Sequence, residues 1–317
     1  MEHLKALQSA LENNVQRVIV GKSHVIRLIH TAILCSGHVL LEDIPGTGKT
    51  LMSKALAKSL NASFSRIQFT PDLLPSDLTG LNFFNQQKGA FEFRNGPLMA
   101  NIVLADEINR ATPRTQAALL EAMAEQQITV DGTTYPLEAP FLVLATQNPI
   151  ETGGTFPLPE AQLDRFFMQL TMGYPTRDEE ALILERFEHA NPMDILEAVV
   201  TKKQLLEARE LVKQVKVTAV VRDYMLSFVD ATRNHEMIDI GISPRGTMAL
   251  YNGAKAYAAL DGRTFVTPDD VQSLVVPIFA HRLKLRETNY LGELTAQNLI
   301  LDILKAIEVP IEIRQAL

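Results

Sequence analysis

HVLLEDIPGTGKT, residues 38–50, is the stretch on which the fold turns. It opens as an apolar run of strand length, and Gly46 and Gly48 break that run just ahead of Lys49 and Thr50. A buried strand, a glycine-bearing turn and a helix start, in that order, gather backbone N–H groups around an anion at the positive end of a helix dipole. A lysine closing the turn reaches the outer phosphates of a nucleoside triphosphate, and the hydroxyl after it can ligate Mg²⁺. Pro45, Gly46, Thr47, Gly48, Lys49, Thr50 and Leu51 are therefore the expected ATP-binding turn, with Thr50 also an expected metal ligand. Asp43 stands where such turns usually begin with glycine. That position starts the turn without cradling phosphate, so its carboxylate is expected to point away. The competing reading is an ordinary glycine-rich strand-to-helix turn.

Two further apolar runs end in polar residues suited to the same chemistry. IVLADE, 102–107, delivers Asp106 and Glu107 at a strand's C-terminal edge, where open parallel sheets bind ligands. Asp106 is expected to hold Mg²⁺ through its water shell, and Glu107 to polarise the attacking water. FLVLATQN, 141–148, ends on Asn148, whose amide could bond both the γ-phosphate and that water. Asn148 also precedes Pro149, and a turn-opening role is open beside the functional one.

Working outward, helices are expected near 3–16, 22–36, 49–60 and 113–126, with strands at 38–42, 63–69, 102–106 and 141–146. Strands alternating with helices imply a mostly parallel sheet covered on both faces. The segments 81–96 and 128–137 alternate apolar and polar residues around Lys88-Gly89 and Asp131-Gly132, and read as inserted β-hairpins. From Thr176 the pattern turns helical, near 176–189, 202–215, 218–234, 244–260, 267–280 and 293–306. The expected fold is α/β, with a nucleotide-binding domain over 1–175 and an all-helical lid over 176–317.

Arg165 in LDRFF follows a short expected helix and precedes a strand. It could point toward a neighbouring protomer's γ-phosphate, or be consumed by an ion pair to Asp164 or Glu160. Arg245 in SPRG starts a lid helix, placed either to touch nucleotide or simply to meet solvent. Arg110, Arg114 and Arg282 receive no role from the sequence.

The chain has 317 residues, 46% apolar and 21% charged, a globular balance with length for about two domains. Its formal net charge of −7 disfavours a nucleic-acid-binding surface. No apolar run approaches the roughly 20 residues of a membrane span, and the N-terminus lacks a secretory h-region. With Cys35 as the single cysteine, no intrachain disulfide can form. A cytoplasmic location is expected.

DEINRATPRTQAALLEAM (106–123), ATQNPIETGGTFPLPEAQLDRF (145–166) and SPRG (243–246) resemble the MoxR family of AAA+ ATPases, over nearly the whole chain. The resemblance implies Walker A at Lys49 and Thr50, Walker B at Asp106 and Glu107, and sensor 1 at Asn148. It also implies an arginine finger at Arg165, sensor 2 at Arg245, and adenine contacts at Val20 and Gly21. Family members similar to this chain form hexameric homo-oligomeric rings and remodel partners in a chaperone-like way. They often work with proteins carrying a von Willebrand factor A domain. The alternatives are a magnesium-chelatase-like ATPase subunit, a nucleotide-gated scaffold with little hydrolysis, and a transcription activator. Against the last, Gly89-Ala90-Phe91 continues as Glu92-Phe93-Arg94 rather than as a GAFTGA-like loop.

Overall fold

The computed structural model describes residues 1–44, 46–147, 154–189, 191–286 and 295–310. Helices α1 (Glu2–Val15) and α2 (Ser23–Leu34) precede β1 (Val39–Glu42) and α3 (Lys49–Ser59). Then come β2 (Phe64–Gln68), the short α4 (Pro75–Thr79), the hairpin β3 (Gly80–Asn85) and β4 (Ala90–Asn95), β5 (Ile102–Asp106) and α5 (Pro113–Glu125). A second hairpin, β6 (Gln127–Val130) and β7 (Thr133–Pro136), leads to β8 (Leu142–Gln147), the single turn α6 (Glu160–Leu163) and β9 (Met168–Leu170). The rest comprises α7 (Arg177–His189), α8 (Lys202–Val212), α9 (Ala219–Asn234), β10 (Ile238–Ile240), α10 (Pro244–Leu260), α11 (Pro268–Phe279), β11 (Lys284–Leu285) and α12 (Ala296–Ala306).

Five strands form one sheet in the order β2-β5-β8-β1-β9, every pair parallel. Their C-terminal ends therefore share one edge. The sheet's two faces bury alternate residues, as a pleated strand requires. Val39, Leu41, Ile102, Leu104, Leu142 and Leu144 join a core with α1, α2 and α3. Leu40, Val103, Ala105, Val143 and Ala145 join a second core with α5 and Phe166. The expected fold class is the one observed.

His38 locks the sheet to α5. Its Nδ1 accepts the Val143 N–H (3.0 Å), so its Nε2 carries the proton and donates to the Met123 carbonyl (3.1 Å). The hairpins touch each other, and Ile128 of β6 reaches the second core. Phe93 stacks on Tyr135 with ring centroids 4.1 Å apart, and the Asn82 amide donates to Asp131 (2.8 Å). Outward of that contact the edge-to-face pair Phe84 and Phe91 is exposed.

The C-terminal half is helical as expected, with one addition: β10 and β11 pair in a small antiparallel ribbon. Four of its described helices, α8, α9, α10 and α12, begin on side-chain caps. Ser243 accepts the Gly246 N–H (3.2 Å) at the start of α10, with Pro244 in the first turn. Among the described residues no helix is long and apolar enough to cross a membrane.

Candidate active site

The turn after β1 has the backbone the sequence asks for. Gly46 and Gly48 have φ of +89° and +90°, a region L-residues avoid. A Cβ on Gly46 would meet nothing within 4 Å, so the turn's face is open. α3 starts at Lys49, immediately after Gly48. The Lys49 Nζ folds back to the carbonyls of Asp43 (3.0 Å) and Ile44 (2.9 Å), and the Thr47 hydroxyl donates to Ile44 (3.4 Å).

Asp43 is buried, and its carboxylate accepts the N–H groups of Met172 and Gly173 beyond β9. A residue standing in for the usual glycine thus fastens the end of β1 to the end of β9. Burial, and secondarily the Asp43 carboxylate, push the neighbouring Glu42 carboxyl up from its ordinary value.

β8 lies between β1 and β5, and that order brings the acid pair opposite the turn. The Thr146 hydroxyl donates to Asp106 Oδ1 (2.7 Å) and accepts the Glu107 N–H (2.8 Å). Glu107 itself adopts φ +58°. On the other flank, Arg66 and Gln68 of β2 point to the same edge. Arg66 Nη2 pairs with Asp106 Oδ2 at 2.6 Å, and Gln68 Nε2 donates to Glu107 Oε2 at 2.8 Å. Arg110 Nε stands 3.2 Å from Glu107 Oε2, so this arginine does have a partner at the site.

A cavity of about 410 Å³ gathers these groups, lined by Gly46, Gly48, Lys49, Thr50 and Leu51 on one side and Asp106, Glu107 and Thr146 on the other. A magnesium triphosphate fits this donor set. The turn offers an unobstructed anion cradle, and the Thr50 hydroxyl and Asp106 carboxylate are the hard oxygen donors that Mg²⁺ prefers. A larger cavity, about 620 Å³ between α2, α8 and α10, has no such chemistry. Its Cys35 thiol is pushed up to about 12 by burial, against the opposing pull of Arg209 and Lys255.

The cavity does not include every residue singled out from the sequence. Val20 is buried, and Gly21 lies beneath the Glu179 carboxylate. Arg165 is exposed at the surface, its Nη1 donating to the Leu120 carbonyl (3.1 Å). Arg245, 58% exposed, faces Asp164 at 3.8 Å. Pro45 and Asn148 lie outside the described residues. Conversely, Arg66, Gln68 and Thr146 are site residues that sequence reasoning does not single out. The one signal for the first two is the alternation in FSRIQ, two long polar side chains on one face of an otherwise sheet-like run.

Residues 38–168 match the family model described as "ATPase family associated with various cellular activities (AAA)", and residues 230–300 match the AAA lid domain. The chain is 47% identical to YeaC of Bacillus subtilis over 311 residues, covering 98% of this chain and 97% of the relative. It is 38% identical to Chaperone MoxR1 of Mycobacterium tuberculosis over 305 residues, covering 93% and 80%. A crystal structure of an ATPase candidate from Cytophaga hutchinsonii superposes with a TM-score of 0.91 at 38% identity, covering 98% and 97%. Sheet order, turn and helical cap together define a P-loop protein of the AAA+ class. Within that class, the chain belongs to the MoxR family of AAA+ ATPases.

Proposed function

We propose that the chain binds ATP with Mg²⁺ over residues 46–50 and hydrolyses it, as a homo-oligomeric, six-membered ring that remodels or matures partner proteins. In this reading residues 1–175 carry the nucleotide and residues 176–317 form the lid. The observation that supports it most is the shared cavity. Lys49 and Thr50 face Asp106 and Glu107 across it, although more than 50 residues separate them in sequence.

Lys49 holds the outer phosphates by charge, leaving its resting contacts on the Asp43 and Ile44 carbonyls. Thr50 and Asp106 hold magnesium, which when bound offsets phosphate charge and orients the triphosphate. Glu107 takes the proton of the attacking water; Thr146 fixes the Asp106 carboxylate and the Glu107 main chain, while Gln68 and Arg110 hold the Glu107 carboxylate. Asn148, the residue that follows Gln147 in the sequence, contributes to aligning that water. Arg165 acts on the γ-phosphate of the neighbouring protomer, a role favoured by its exposure and by a backbone carbonyl, rather than a carboxylate, as the partner of its Nη1. Arg245 answers nucleotide from the lid, and Val20 with Gly21 borders the adenine. The location is cytoplasmic, with a von Willebrand factor A domain protein as partner, and the net charge of −7 speaks against nucleic acid.

The deciding experiment is Glu107→Gln. ATP affinity should persist while steady-state hydrolysis falls by about 10²–10⁴-fold, the usual contribution of a general base. Undiminished turnover would remove Glu107 from the mechanism.

A further inference from the structure

Arg282, to which the sequence assigns no role, is buried to 2% side-chain exposure in the turn after α11. A guanidinium carries five N–H groups, and here all five are placed. Nε donates to Asp164 Oδ1 at 2.8 Å, and Nη1 donates to the carbonyls of Ile278 and Phe167, the latter at 3.2 Å. Nη2 donates to the carbonyls of Phe166 and Asp164, the latter at 3.4 Å. His281 Nε2 adds a second bond to the Phe166 carbonyl (3.1 Å). Residues 164, 166 and 167 flank Arg165 on both sides. The main chain of a residue belonging to the sheet half is thus held by the far end of the chain.

The same Asp164 carboxylate accepts the Ser243 hydroxyl (3.1 Å to each oxygen), and Ser243 is the cap of α10, the helix that carries Arg245. Gly246 completes the joint. A Cβ there would sit 3.0 Å from Arg282 Cδ and 2.8 Å from Ile242 Cγ2, so a side chain at 246 would press on the arginine's path. Burial pulls the Arg282 guanidinium down from its ordinary value, and Asp164 counters that.

We infer that Arg282 is a positioning residue: through Asp164 and the carbonyls around Arg165, it makes the lid's placement in one protomer set the arginine presented to the next. This rests on the reading of Arg165 as trans-acting. A lysine at 282 keeps the charge but has neither the planar fork nor five donors, so Arg282→Lys loosens Arg165 while the positive charge stays in place. Arg282 does not line the nucleotide cavity of its own protomer.

The test is hydrolysis in mixed assemblies, with binding of a fluorescent ATP analogue measured in parallel. Arg282→Lys alone should bind the analogue as wild type yet turn over about 10²-fold slower, the cost of misplacing a catalytic group by about 1 Å. Mixing it with Lys49→Ala protomers, whose Arg165 is correctly held, should restore turnover. Mixing it with Arg165→Ala protomers should not. Wild-type turnover by Arg282→Lys, or equal recovery with both partners, overturns the inference. The control pair, Arg165→Ala with Lys49→Ala, separates the two levels. If that pair fails to recover, the trans reading falls and this inference with it; if it recovers and Arg282→Lys does not, only the inference falls. Should Arg282→Lys not fold, the near-isosteric Asp164→Asn carries the same two mixtures beside the same control, with the same results supporting or overturning the inference.

Discussion

At Glu107 the backbone takes φ +58° and ψ +51°, which for a non-glycine residue is uncommon and costs of order 1–3 kcal/mol. The Thr146 hydroxyl, receiving the Glu107 N–H, is one of the contacts that hold it there. Beside it, Arg66 occupies Asp106 with two donors on one oxygen, at 2.6 and 3.2 Å. That pair is partly exposed, with Arg66 at 47%, so its worth is about 0.2–1 kcal/mol. Magnesium must compete with it for Asp106. In Arg66→Ala, titration of magnesium at saturating ATP should therefore show half-maximal binding at a concentration lowered by about 1.4- to 5-fold. A rise would instead mark Arg66 as a phosphate contact. None of Arg66, Gln68 and Thr146 could be assigned from the sequence. They approach Asp106 and Glu107 only because β5 lies between β2 and β8, and nothing in a single strand's pattern reports its neighbours.

Among elements, long periodic helices and short apolar strands were readable because each declares its own period. The glycine-lysine turn was readable for the same reason: its demand on the backbone is local. Two kinds of element escaped. α4 has only five residues, too few for a period, and β10 with β11 pairs segments more than 40 residues apart. α8 also ends at Val212, three residues short of the expected 215, because Lys216 turns aside to bridge Phe265. Asp43 shows how a departure from a motif can be put to use between elements. Its carboxylate serves the N–H groups of Met172 and Gly173, tying β1 to the chain leaving β9. Asp43→Ala would strand those buried donors at a cost of about 1–3 kcal/mol. Urea denaturation should register that loss, and an unchanged midpoint would mean that water replaces the carboxylate.

For the whole molecule, acid is the revealing stress. His30 and His38 are fully buried, and burial lowers both from 6.5 to about 4. In the unfolded chain they protonate near 6.5, so between pH 6.5 and 4 the unfolded state binds more protons than the native one. Stability is then fully present above 6.5 and declines as pH falls toward 4. The decline should approach about 1.4 kcal/mol per histidine for each pH unit in that window. Urea midpoints measured from about pH 7.5 to about pH 4.5 should fall on the acid side, whereas a flat profile would contradict the burial of these rings. For His38 the geometry explains the preference, since a proton on Nδ1 would face the Val143 N–H.

One apolar core runs from α1, α2 and α3 through Leu205, Phe228, Leu250, Leu274 and Ile300 of α8 to α12. The two halves of the chain therefore divide by chemistry and not by a seam. A lid grafted from a distant relative would arrive with the wrong inner surface for α1 and α2, so exchange by simple gene fusion is blocked unless the first 34 residues travel with it.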